Sequence, residues 1–180
     1  MAIETEKKYR LTEQQREQIL ENLKKSGAVY EGEDFEENIL YRGGILDEKN
    51  AVLRVRKIGD KTILTYKQRI ENQFDIKQRT EYETAVENLE ELENIIESLG
   101  FQKMLVYEKR RQTWQFRQTE VVIDELAFGL FMEIEGTITD IAEAEAFLEA
   151  EDFVVEHESY PRLTQKLGRQ NGSMIEARFE

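Results

Sequence analysis

Glu4, Glu6 and Lys8 stand at alternate positions in Ile3-Glu4-Thr5-Glu6-Lys7-Lys8-Tyr9-Arg10. In an extended chain successive side chains point to opposite faces, so these three line one side while Ile3, Thr5, Lys7 and Tyr9 line the other. Two carboxylates about 7 Å apart along a strand, at ~3.3 Å rise per residue, are poorly placed to pair with each other and well placed to hold a hard cation. Lys8 then adjoins whatever that cation holds.

The same parity recurs down the chain. Arg54 and Arg56 share a face in Leu53-Arg54-Val55-Arg56, with the aliphatic residues opposite. Lys67 and Arg69 share a face, with Leu64 and Tyr66 turned away. Arg79, Glu81 and Glu83 alternate with Thr80 and Tyr82; Lys109 and Arg111 frame Arg110; Asp124 follows Val121-Val122-Ile123; Glu133 and Glu135 alternate with Met132 and Ile134. Each segment offers one ionised face and one apolar or neutral face.

Apolar faces must be covered, and amphipathic helices elsewhere in the chain can cover them. With helices outside, the ionised faces look inward. A dry interior cannot hold so many ions, because each unpaired buried charge costs several kcal/mol. The pattern therefore predicts a wet tunnel or deep cleft with an acidic and a basic set, which suits a divalent metal and a polyphosphate.

A chain of 180 residues supports one domain with a real core. With 39% hydrophobic and 35% charged residues it reads as globular. No run of ~18 apolar residues predicts a membrane span, and no leader pattern is visible, so the cytoplasm is the expected compartment. The lack of cysteine excludes disulfides, thiolate zinc and a cysteine nucleophile. A net charge of -13 argues against nucleic acid as a partner. The expected partner is a small anion, and the expected state is a monomer or homodimer.

The elements that must position these residues follow in order. Thr12 with Gln15 fits a capping box for a helix over 13–26, stopped at Gly27. Residues 28–41 read as an acidic loop leading to a short strand at Ile39-Leu40-Tyr41. Gly59-Asp60 reads as a hairpin turn, and residues 70–76 as an exposed loop. Asn88 caps a second helix ending at Gly100; strands are expected over 106–116, 120–126 and 130–136. Asp140 and Glu143 suggest the cap of a third helix with the stripe Ile141, Ala144, Phe147 and Leu148. Pro161 opens a last helix through about Leu167. Residues 169–180 show no pattern and read as a flexible tail.

Taken in order, Glu4-x-Glu6-x-Lys8, Leu53-Arg54-Val55-Arg56, Leu64-Thr65-Tyr66-Lys67, Arg79-x-Glu81-x-Glu83, Tyr107-Glu108-Lys109-x-Arg111, Asp124-Glu125 and Phe131-Met132-Glu133-Ile134-Glu135-Gly136 resemble the CYTH domain, or triphosphate tunnel metalloenzyme, family. Ser159-Tyr160 and Leu163 look most like its bacterial and archaeal members grouped with class IV adenylyl cyclases. Arg42, after Tyr41, departs from the Asp usual in such relatives.

The resemblance implies an α+β fold, a closed antiparallel eight-stranded β-tunnel with helices packed outside, as a single domain over 1–168. It implies a Mg²⁺ or Mn²⁺ set of Glu4, Glu6, Glu81, Asp124, Glu133 and Glu135, and a phosphate set of Lys8, Arg54, Arg56, Lys67, Lys109, Arg111 and Lys166. Catalysis would fall to Glu4, Glu6, Lys8, Glu133 and Glu135. The implied reaction is metal-dependent hydrolysis of a triphosphate-bearing substrate: inorganic, nucleoside or thiamine triphosphate. The alternatives are a class IV adenylyl cyclase and a non-catalytic polyphosphate-binding module.

Overall fold

The structure is a computed structural model that describes residues 5–70 and 78–180. Glu4 lies outside the described residues, as does the expected loop from residue 71 to 76. The element order is β1 (Glu6–Leu11), α1 (Glu13–Lys25), β2 (Val29–Arg42), α2 (Ile45–Glu48), β3 (Ala51–Ile58), β4 (Lys61–Ile70) and β5 (Gln78–Val86). There follow α3 (Leu89–Ser98), β6 (Gln102–Phe116), β7 (Thr119–Leu126), β8 (Gly129–Glu135), α4 (Ile138–Leu148), α5 (Tyr160–Leu167), β9 (Arg169–Asn171) and β10 (Met174–Ala177). The chain forms two compact units, Met1–Phe35 with Lys109–Ser159 and Glu36–Glu108 with Tyr160–Glu180. β2 and β6 each give residues to both.

In the first unit β1 pairs with β8, β8 with β7 and β7 with β6, all antiparallel. One face is apolar: Tyr9, Met132, Ile134, Val121, Ile123 and Trp114 form a core with Ile19 and Leu23 of α1 and Ile141, Ala144 and Leu148 of α4. Helices cover this face because the alternation of the strands and the 3.6-residue stripe of the helices present matching apolar surfaces. Thr12 caps α1 as expected: its hydroxyl accepts from the Gln15 amide, and the Gln15 side chain accepts from the Thr12 amide at 2.8 Å. The α4 cap is Thr137 rather than Asp140, whose amide Thr137 accepts at 3.2 Å. Phe147 lies half-exposed at the edge of the core, its ring edge-on to Phe116 with centres 6.2 Å apart and under Arg117, whose guanidinium is 3.6 Å from the ring centre.

In the second unit β3 pairs with β2 and β4, and β4 with β5, all antiparallel. Ile39, Tyr41, Val55 and Val106 pack with Ile96 of α3, joined by Leu53, Leu64, Leu89 and Leu92. Gly59 adopts φ +54 in the β3–β4 turn, where a left-handed conformation suits glycine. Arg42 is held by Asp47, Nε to Oδ1 at 2.6 Å.

Two stretches differ from expectation. β2 begins at Val29, although residues 28–38 read as an acidic loop; β2 is hydrogen-bonded to β6 as well as to β3, whose register covers Glu36 to Tyr41, and these pairings supply backbone partners that its weak intrinsic strand propensity does not announce. Residues 169–180 carry β9 and β10 rather than a patternless tail, and β10 runs parallel to β6 at Leu105, Val106 and Tyr107. Arg178 anchors this segment between Glu37 (2.5 Å) and Glu108 (2.6 Å).

The described fold is mainly antiparallel β-sheet with a few helices. The pairings within either unit do not show closure of eight strands into a tunnel. No helix among the described residues is long and apolar enough to cross a membrane.

Candidate functional site

The face of the first unit opposite its helices carries the charge. Cross-strand register sets its rows: Glu6 opposite Glu135 and Lys8 opposite Glu133 on β1 and β8, and Arg111 opposite Asp124 on β6 and β7. Directly opposed residues share a face, so the alternation noted in the separate strands becomes one surface.

Lys8, Glu133, Arg111, Asp124 and Lys109 form one network. Lys8 Nζ lies 3.0 Å from Glu133 Oε1 and donates to the Glu158 carbonyl at 3.3 Å. The other Glu133 oxygen accepts from Arg111 Nη2 at 2.6 Å. Arg111 grips Asp124 with both prongs, Nε to Oδ1 at 2.7 Å and Nη2 to Oδ2 at 2.5 Å. Lys109 Nζ stands 3.7 Å from Asp124 Oδ2. Asp124 is fully buried, and Lys8 and Lys109 nearly so. Desolvation of this size is tolerable only because each charge has partners.

The second unit carries its charged face on β2 to β5. Arg54 of β3 stands opposite Thr65 of β4, which stands opposite Glu83 of β5; Lys67 stands opposite Glu81. Arg54 Nη2 donates to Thr65 Oγ1 at 3.3 Å, and Thr65 donates onward to Glu83 at 3.0 Å. The guanidinium stays 4.0 Å from Glu81 and 3.8 Å from Glu83. Lys67 pairs with Glu81 at 2.8 Å. Arg56 Nε donates to Asn38 Oδ1 at 3.3 Å, and Glu36 lies 3.7 Å away.

Burial, then the like charge of Arg56, pulls the Arg54 guanidinium below its ordinary range. Burial, then Arg54 and Arg56, does the same to the Lys67 ammonium against the opposing pull of Glu81. The Arg54 Nε is buried with no hydrogen-bond partner in the protein. Three crowded cations, one with an orphaned donor, suit a polyvalent anion.

The carboxylates on the first unit's face offer only hard oxygen donors, which suits Mg²⁺ or Mn²⁺ rather than a soft metal. Among the described residues no three acidic or histidine side chains converge as a metal-holding group. Asp124 and Glu133 converge on the Arg111 Nη2 nitrogen, so a cation already occupies their focus. Glu6 and Glu135 stand opposite each other at the end of the β1–β8 ladder, and Glu6 is exposed.

The CYTH domain family pattern matches residues 2–166. The chain belongs to the CYTH domain family. A Methanocaldococcus jannaschii protein named as a candidate adenylate cyclase is 31% identical over 150 residues, 82% of this chain and 84% of that protein. The PH1012 protein of Pyrococcus horikoshii OT3 shares the fold at TM-score 0.73 and 24% identity, covering 89% of this chain and 99% of its own. A Hippeastrum protein, HpAC1, matches at TM-score 0.69 and 15% identity over 91% of this chain and 96% of that one; its description reports a dominant triphosphatase activity.

In this CYTH domain the expected site residues fall into two groups. Glu6, Lys8, Lys109, Arg111, Asp124, Glu133 and Glu135 share one face of the first unit, and Arg54, Arg56, Lys67 and Glu81 share one face of the second. Lys166 is exposed on α5 in the second unit. Arg110 is exposed and 3.4 Å from Glu125, outside the network. Sequence reasoning missed Glu36, Asn38 and the bridging part of Thr65. The parity of Glu36-x-Asn38 was available, but reading this stretch as a loop hid it.

Proposed function

We propose that this CYTH domain is a Mg²⁺- or Mn²⁺-dependent hydrolase of triphosphate-bearing substrates, working in the closed, charged eight-stranded tunnel that the family resemblance implies. The observation that carries the reading is Arg54: largely buried, depressed in pKa by burial and by Arg56, with an orphaned Nε. A guanidinium in that condition gains most from an anion that brings several oxygens.

In this reading Arg54, Arg56 and Lys67 hold the phosphate chain, helped by Lys8, Lys109 and Lys166. Arg111 serves the phosphate indirectly, by fixing Asp124 and Glu133. Glu4, Glu6 and Glu135 would hold the metal, with Asp124 and Glu133 fixed beside it by Arg111 and Glu81 set aside for Lys67. When bound, the metal supplies charge neutralisation at the phosphoryl oxygens and lowers the pKa of a bound water. Glu6 and Glu135, directly opposite each other in the β1–β8 register, would orient the attacking water, whose oxygen bonds to the terminal phosphorus as the bridging oxygen leaves with the remaining diphosphate. The surplus proton passes to a carboxylate or to solvent. Positioning and charge stabilisation carry such transfers, so no covalent nucleophile is required.

The hydrolase reading is supported by the triphosphatase activity described for the Hippeastrum neighbour. The cyclase reading, in which the ATP 3′-hydroxyl attacks the α-phosphorus and pyrophosphate leaves, is supported by the name of the M. jannaschii relative. Chromatography of products from inorganic triphosphate, ATP and thiamine triphosphate with Mg²⁺ or Mn²⁺ separates them. Orthophosphate is expected; cyclic AMP with pyrophosphate would favour the cyclase, and tight binding without turnover a binding module. The proposed compartment is the cytoplasm, and the proposed state a monomer or homodimer.

A further inference from the structure

The two arginines of β3 are seated in the same way by unlike residues. Arg54 meets a hydroxyl, Thr65, which donates to the Glu83 carboxylate. Arg56 meets an amide, Asn38, whose Nδ2 donates to the Glu36 carboxylate at 3.3 Å. Both intermediaries are fully buried and both stand directly opposite their arginine in the strand register. In each case a neutral side chain touches the guanidinium, while the nearest carboxylate stays 3.8 Å from Arg54 and 3.7 Å from Arg56. Arg111 shows the other outcome, with carboxylates at 2.5 and 2.6 Å.

We infer that Thr65 and Asn38 are positioning residues, neutral spacers that hold Arg54 and Arg56 in place while keeping their carboxylates from closing on them. The direction of the hydrogen bonds supports this. The single Thr65 hydroxyl proton is committed to Glu83, which turns an oxygen lone pair toward Arg54. The Asn38 amide protons face Glu36, which turns its carbonyl oxygen toward Arg56. Each carboxylate thus fixes the polarity of its spacer without neutralising the arginine. The remaining N–H donors keep their charge for phosphate oxygens. Direct fork-to-carboxylate contact would occupy those donors with an internal anion that the substrate would have to displace.

The inference rests on the phosphate-holding role proposed for these arginines, and two readouts on the full-length chain separate the two. The first is ¹⁵N NMR of the arginine Nε–H and guanidinium groups without ligand. The second is calorimetric titration with inorganic triphosphate and Mg²⁺. Thr65→Val should let Glu83 close on Arg54, shifting the Arg54 guanidinium signals toward those of a carboxylate-paired arginine, and weaken triphosphate about tenfold. Thr65→Ser should restore both. Adding Glu83→Gln to Thr65→Val should regain most of the affinity, because the competing anion is gone. Asn38→Asp, which keeps the shape but makes the spacer an anion, should weaken triphosphate about tenfold with Arg56 still ordered.

Unchanged spectra and affinity in Thr65→Val overturn the inference. So does failure of serine to restore them, a further loss on adding Glu83→Gln, or full affinity in Asn38→Asp. If the unsubstituted chain takes no triphosphate, the functional reading falls, and the arginine spectra alone decide the spacer role. Should Thr65→Val not fold, the Asn38→Asp comparison stands without it.

Discussion

Arg111 holds Asp124 through two parallel hydrogen bonds, at 2.7 and 2.5 Å, and the nitrogen of the shorter one also reaches Glu133 at 2.6 Å. The aspartate is fully buried, so its charge depends on this clamp and on Lys109. Arg111→Met removes both prongs of that clamp from the buried carboxylate. Breaking a buried pair from one side typically costs about 3 kcal/mol or more. Urea denaturation of the variant is expected to show a loss of that order, and stability equal to the unsubstituted chain would contradict it.

Arg54→Ala removes the guanidinium whose buried Nε lacks a protein partner. The expected loss in kcat/KM toward triphosphate is about 100-fold, typical of removing one preorganised donor to a transferring group. Arg110→Ala, at an exposed ion pair with Glu125, should change turnover by less than about twofold. Comparable losses in both variants would mean that burial does not mark the phosphate-binding cations.

Lys67 titrates below its ordinary value because burial and two arginines disfavour its charge. The charged form binds an anion, and a bound anion raises the lysine pKa. Triphosphate affinity is therefore expected to fall as pH rises, beginning below the ordinary lysine range near pH ~10.4. Lys67→Arg should remove that alkaline limb. Calorimetric titration at stepped pH reads the outcome, and an identical limb in both proteins would count against Lys67.

Burial and the nearby Glu93 raise the Tyr41 phenol, which lies 3.1 Å from that carboxylate. A raised folded-state pKa contributes stability below the unfolded value, near pH ~10, and loses it as pH rises through the folded value. Thermal unfolding from pH 8 upward should show the melting temperature falling above pH ~10, with a shallower fall in Tyr41→Phe. Parallel curves would exclude the phenol as a source of the decline.

Gly168 separates α5 from β9 where space is short. A Cβ there would lie 2.6 Å from the Thr164 carbonyl, 2.8 Å from the Glu176 carbonyl and 2.8 Å from Ile175 Cγ2. Backbone cannot yield as a side-chain tip can, so Gly168→Ala should destabilise by about 1–3 kcal/mol. Loss of amide-exchange protection at Ile175 and Ala177 would locate the damage on β10, and unchanged protection would refute the packing argument.

Much of this protein was legible before any coordinates. Alternation within single strands assigned Lys8, Arg54, Lys67, Asp124 and Glu133 to ionised faces, since a period of two depends only on local geometry. Caps at Thr12 and Asn88 were equally local, and the ordered motifs pointed to the CYTH family. The strand at Ile39 to Tyr41 was legible, but the polar first part of β2 was not, because its backbone partners lie on strands distant in sequence. Nor was β10, whose parallel pairing with β6 joins residues about seventy positions apart. The division of labour among the arginines was hidden for the same reason. Arg54, Arg56 and Arg111 are alike as sequence, each sharing a strand face with a second cation two positions away. Cross-strand register set Thr65 and Asn38 opposite the first two and Asp124 opposite the third. Which neighbour stands across the ladder is a property of pairing between distant segments, and it separates an arginine held ready for an anion from one already bound to its own carboxylates.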